Sequence, residues 1–174
     1  MKVLLVFLAC IVLTNCQLYN RTDYCLNYDL NFNLQPELLL GDWYPIVVDT
    51  GLTYNYDCHK LNFFRSNLGN YSVNILNLLN NNYINFDILK TKRINSFLTT
   101  INNVRALNTI LDTDYTNYLV GIKCMEYTDG LRYHAFILSR NMTLSDDLIL
   151  KLENFILQNF SNFEFKKINF NNCS

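Results

Sequence analysis

Proline is almost absent: Pro36 and Pro45 are the only two in 174 residues, and there is no linker-like stretch or internal repeat between them or after them. That excludes a chain divided by Pro-rich spacers and favours one domain, for which this length supplies a real core. No basic run occurs and the formal charge is -1, so the electrostatic footprint of a nucleic-acid-binding protein is missing. No CxxC occurs and the cysteines are widely spaced, which argues against a structural zinc site. With two histidines in the whole chain, no Ser-His-Asp arrangement can be read without inventing geometry, and no enzyme activity is expected. Only one long apolar run exists, at the very start.

That run reads as a leader. Lys2 supplies a positive n-region, VLLVFLACIVL is too short to span a bilayer, and Thr14 and Cys16 are small residues placed for a cut before Gln17. The expectation is a signal peptide over 1–16 and a single mature domain over 17–174, soluble and secreted. Of the six cysteines, Cys25, Cys58, Cys124 and Cys173 then remain, an even number suited to two disulfides with three possible pairings. Sequons at Asn20, Asn70, Asn141 and Asn159 are candidate glycan acceptors, while Asn172 is crowded by Cys173.

From Leu39 onward the chain is strand after strand. WYPIVV, HKLNFFR, YSVNILNLL, YINFDILKT, SFLTTI, ALNTILD, YLVGIKCMEY and RYHAFILS are rich in β-branched and aromatic residues, and each is bounded by Asn, Asp, Gly or Ser. Pro45 sits early in its run, where a missing N–H is tolerable. Eight such runs in succession predict an antiparallel sandwich or a closed up-and-down barrel. The period then changes. Thr143-Leu-Ser-Asp146 resembles a capping box, Asp146 and Asp147 suit the helix dipole, and Leu148, Leu152, Phe155 and Ile156 follow at helical spacing. FEFKKINF, from Phe163, closes the chain as a short strand or extended tail.

Three separated segments carry a resemblance. Gly41-Asp-Trp43 opens the first strand as GxW, Thr113-Asp114-Tyr115 lies between the sixth and seventh strands, and Arg140 follows the eighth. In that order, inside a secreted eight-strand pattern with one helix, they resemble the signature regions of the lipocalin family. The four cysteines look most like its arthropod bilin-binding and apolipoprotein D-like branch. The resemblance implies an all-β fold: an eight-stranded antiparallel up-and-down lipocalin barrel with one C-terminal α-helix packed outside. It implies that Trp43 plugs the closed end with the Arg140 guanidinium stacked across it and Asp114 in the corner beside them. It also implies the pairing Cys25–Cys124 and Cys58–Cys173.

With those cysteines outside the wall, period-2 alternation turns Leu119, Gly121, Lys123 and Met125 inward, and likewise His59, Leu61 and Phe63. Alignment with the family adds Arg132, His134 and Phe136, and Val104, Ala106, Asn108 and Ile110. An apolar cup with a basic upper ring of His59, Lys123, Arg132 and His134 suits an amphipathic ligand with a carboxylate. The implied function is binding and transport or sequestration of a small hydrophobic ligand, a biliverdin-like bilin pigment first and a fatty-acid-like molecule second. The alternative is a triabin-like factor that binds a protein, such as a host protease, with its outer loops. Haem is disfavoured because the fourth strand, which supplies the ligand in nitric-oxide-carrying lipocalins, has no histidine. Pairing of all four cysteines also leaves none free for chemistry of the prostaglandin-synthase type.

Overall fold

Alternation becomes strand at each of these runs. The structure, a computed structural model, describes Cys25 and residues 33–52, 54–101, 103–160, 162–171 and 173. The leader at 1–16 and the sequon at Asn20 lie outside the described residues. The strands are β1 (Gly41–Asp49), β2 (His59–Arg65), β3 (Tyr71–Asn77), β4 (Tyr83–Lys90), β5 (Ser96–Ile101), β6 (Val104–Thr113), β7 (Tyr118–Tyr127), β8 (Gly130–Ser139) and β9 (Phe165–Lys167). Helix α1 (Asp146–Asn159) lies between β8 and β9.

Sequential strands pair antiparallel from β2 to β8, and β1 pairs with both β8 and β2, so the sheet closes on itself. Closure removes the exposed edges that a sheet this rich in apolar residues would otherwise present. The outer edge of β1 is shared: Gly41–Trp43 pair with β2, and Val47–Asp49 pair with β9. Register shifts between Pro45 and Val47, where the edge passes from one partner to the other. A residue without an N–H is least costly at such a handover.

The alternation sorts apolar side chains into two layers. Trp43, Phe63, Val73, Ile110, Leu119 and Leu138 pack inside the barrel. Val47, Val120, Ile122, Ala135 and Ile137 point outward, where Ile149, Leu152 and Ile156 of α1 cover them. Ile110 faces the inner layer and Leu111 the outer one, and a bulge between Ile110 and Asp112 leaves Leu111 as the extra residue and shifts the register of β6 against β7.

The helix differs from the sequence reading in two details. Ser145, not Thr143, is the N-cap, and its hydroxyl accepts from the Leu148 N–H. The buried stripe is Ile149, Leu152 and Ile156, while Leu148 and Phe155 flank it half-buried. Starting the helix at Asp146 fixes which face meets the barrel. Ser145→Ala is expected to lower stability by about 1 kcal/mol, measurable as a shifted denaturation midpoint with unchanged slope.

Both disulfides form as the resemblance implied. Cys25 pairs with Cys124 and Cys58 with Cys173, with Cα–Cα distances of 6.1 and 5.1 Å. The sequon residues Asn70, Asn141 and Asn159 are exposed.

Candidate functional site: the barrel interior

One end of the barrel is sealed. The Trp43 ring is fully buried, its indole N–H donates to the Leu39 carbonyl at 2.8 Å, and the Arg140 guanidinium lies 3.8 Å from the ring centroid. Arg140 also donates to the carbonyl oxygens of Leu38, Leu40, Asp42 and Tyr115 at 2.8 to 3.1 Å. Gly41, at φ +99°, brings the backbone so close that an added Cβ would lie 3.3 Å from Arg140 Nη1. The corner Thr113-Asp114-Tyr115 is built by side chains. Asp114 Oδ1 accepts from the N–H groups of Thr116, Asn117 and Tyr118, and these bonds hold its carboxyl below the usual range despite partial burial. Thr113 Oγ1 receives the Tyr115 N–H, presenting the Tyr115 carbonyl to Arg140.

Above that plug lies a cavity with about 60 Å³ of free space, against roughly 10–15 Å³ needed for one water. Leu61, Phe63, Leu119 and Lys123 line it as the alternation predicts, and Phe136, Asn108 and Ile110 line it as the alignment implies, while Val104 and Ala106 do not. Asn108 donates its amide to Thr99 Oγ1 at 3.0 Å and is thereby satisfied within the wall. Gly121 leaves no room for a side chain: a Cβ there would meet the Phe136 ring at 2.6 Å, so the phenyl group occupies the space the glycine vacates.

Lys123 is the one charged residue on the lining. Its side chain keeps some accessible surface, but among the described residues its ammonium has no hydrogen-bond or ion-pair partner, and desolvation lowers its pKa from 10.5 to about 8. Cross-strand neighbours Asn108 and His134 fix its height in the barrel.

The rest of the expected basic ring does not line the cavity. Met125 and Arg132 face each other on the β7–β8 hairpin, where Met125 is also paired with Ala106 of β6, yet neither side chain lines the cavity. Arg132 is exposed there, bonded to Asp129 at 2.7 Å and stacked 4.5 Å from the Tyr127 centroid, and Met125 Sδ accepts from the Tyr127 hydroxyl. His134 is buried, its Nδ1 donating to Asp49 Oδ2 at 2.7 Å, and Gly51 passes so close that a Cβ would lie 2.9 Å from that oxygen. His59 is buried at the end of the β1–β2 connection, with Nδ1 at 2.7 Å from the Asp57 carbonyl and Nε2 at 3.1 Å from the Tyr54 hydroxyl. Both histidines therefore serve the connection between β1 and β2.

That connection is what the sequence reading missed. Leu52 and Tyr56, both in the turn between β1 and β2, line the cavity and close its mouth. Burial pushes the Tyr56 phenol up to about 12, so it stays a neutral donor. The C-terminal tail holds the turn from outside through the Thr50 N–H to the Glu164 carbonyl at 2.7 Å and through Cys58–Cys173. A turn carrying Leu52, Tyr54 and Tyr56 is unusually apolar, and that was the available signal.

A closed eight-strand up-and-down barrel with an exterior helix, a Trp–Arg plug at one end and a cavity between that plug and the β1–β2 turn decides the fold. It is the lipocalin fold. No family model and no curated protein matches the sequence. Solved structures match its fold. Insecticyanin from the tobacco hornworm Manduca sexta superposes with a TM-score of 0.68 at 17% identity, covering 86% of this chain and 87% of its own. Apocrustacyanin C1 gives 0.60 at 21%, covering 76% and 78%, and lobster apocrustacyanin A1 gives 0.58 at 21%, covering 76% and 77%.

Proposed function

We propose that this protein is a secreted carrier that sequesters one slender, mainly aliphatic molecule in the barrel interior, with the acidic end of the ligand held at Lys123. The observation that carries the reading is an unpartnered amine on an otherwise nearly apolar lining. Burying that charge is costly unless a ligand supplies the counter-charge, whereas the aliphatic wall gains from every methylene it covers. Two disulfides and the leader support export to an oxidising compartment. Among the described residues no helix is long and apolar enough to cross a membrane.

The size of the interior favours the fatty-acid-like ligand over the bilin. Cavities for drug-sized ligands run to roughly 300–1,000 Å³, and about 60 Å³ is free here. A ten-carbon chain already outgrows that space and needs Tyr56 to shift, whereas a tetrapyrrole needs both Leu52 and Tyr56 lifted out of the mouth. Native mass spectrometry and an absorption spectrum of protein isolated from its source test the reading. A colourless protein carrying one small aliphatic acid supports it, and a visible absorption band returns the choice to a bilin. Tyr56→Ala is expected to speed release of bound decanoate by about tenfold, equivalent to 1.4 kcal/mol, in stopped-flow displacement.

One observation favours a protein-binding surface instead. Leu79, Tyr83 and Ile84 are 63%, 68% and 41% exposed at the turn from β3 to β4, beside the mouth. A partner chain retained in the native mass spectrum above an empty interior would move the function to that rim.

A further inference from the structure

We infer that Lys123 is a covalent capture site for aliphatic aldehydes, forming an imine inside the barrel. The inference rests on the interior being the binding site, and it goes beyond carriage because it assigns the site a chemistry.

The geometry carries it. Lys123 is the one amine among sixteen lining residues, which otherwise offer only the Tyr56 hydroxyl and the Asn108 amide as polar groups. No carboxylate lines the cavity, and the support that Tyr127 gives the charged amine is outweighed by desolvation. Elsewhere the described lysines sit on the surface or are paired: Lys60 with Asp42 at 2.8 Å, Lys167 with Asp146 at 2.7 Å and Lys166 with Asp57 at 3.7 Å. Desolvation in the cavity adds to this. At pH 7.4 an amine with a pKa of about 8 is neutral in roughly a fifth of molecules, against about a thousandth for an ordinary lysine. The neutral form is the nucleophile.

The chemistry balances without an oxidant or reductant. The Nζ lone pair attacks the carbonyl carbon, the C=O π pair moves to oxygen, and the amine protons pass to that oxygen. It leaves as water as the C=N bond forms. A neutral imine suits an apolar cavity better than an ammonium does, because it removes the buried charge. The Tyr56 phenol, kept protonated by burial, lines the same cavity as a neutral donor. The aliphatic lining selects the tail: an alkyl chain gains about 0.8 kcal/mol per buried methylene, which a short hydrophilic aldehyde does not.

The test is decanal added to the intact, disulfide-bonded protein at pH 7.4, followed by cyanoborohydride reduction, intact mass and peptide mapping. The expected result is one decyl adduct on Lys123, formed on the order of a hundred times faster than on any surface lysine, following the neutral-amine ratio. Decanol, of equal length but without the carbonyl, should block that adduct by competition, and Lys123→Met should lose it. Wild-type peptide mapping decides the matter even if the variant folds poorly. Adducts spread over Lys60, Lys151 and Lys166 with Lys123 unmodified would overturn covalent capture. If decanol and decanoate still displace a fluorescent probe from the interior in that case, the carrier reading stands. If neither decanal nor decanol enters the wild-type barrel, both readings fall.

Discussion

Arg140→Ala is expected to destabilise the protein by about 2–3 kcal/mol, the upper part of the usual range, because it breaks a part-buried network of hydrogen bonds. Four carbonyl oxygens from three parts of the chain, Leu38 and Leu40 before the barrel, Asp42 on β1 and Tyr115 in the corner after β6, converge on one guanidinium. Removing it orphans those acceptors and strips the cation from the Trp43 face. Burial lowers the pKa of Arg140, yet a guanidinium stays charged throughout the working range. Arg140→Lys should recover less than half of the loss, because an ammonium cannot present a flat fork to several carbonyls while lying across an indole. The chain has a single tryptophan, so its emission reports on this end alone. A red-shifted spectrum together with a lowered urea midpoint is expected for the alanine variant. An unshifted midpoint would mean that the plug does not hold the barrel closed.

The closed end was legible because its parts are local in type: a GxW, a Thr-Asp-Tyr turn and an arginine, each with a restricted structural use. Likewise the inward face of β7 followed once Cys124 was set outside, since period 2 leaves no freedom within an unbroken strand, and Leu119 and Lys123 lie where that parity puts them. What escaped was set by chain ends and by tertiary contact. Parity places Met125 on the inner face, and the alignment Arg132, but neither tells that the cavity ends short of them and that Arg132 turns to Asp129. His59 and His134 are on the inner face as well, yet each is taken by the β1–β2 turn, through Tyr54 and Asp49. Nothing in an isolated turn dictates that Leu52 and Tyr56 fold inward; that depends on the tail pinning the turn from outside. The bulges at Pro45–Val47 and Ile110–Asp112 are likewise products of barrel closure.

Lys123→Met is expected to make the empty protein more stable by roughly 2–3 kcal/mol at pH 7, after discounting the pKa shift for the surface that Lys123 retains. The sign follows from proton linkage. Lys123 titrates near 8 in the folded chain and near 10.5 when unfolded, so between those values the unfolded state holds more protons and stability rises with pH. The penalty is therefore complete below about pH 8 and fades as pH climbs toward 10.5. Urea melts of the two proteins at matched pH should show a gap that is constant from pH 6 to 8 and closes above it. Methionine fills nearly the same volume without a charge, so packing contributes little to the difference. A ligand reverses the balance. Decanoate supplies the missing counter-charge to the protonated amine that prevails below pH 8, and there it should bind the native protein about 10–100-fold more tightly than the methionine variant, the worth of one charge-assisted hydrogen bond. Decanol should bind the two alike. A variant that is more stable when empty and weaker only toward the acid would show that the chain keeps a destabilising lysine for the sake of its cargo. A gap that does not respond to pH, or a loss of affinity shared by decanol, would remove Lys123 from the binding site.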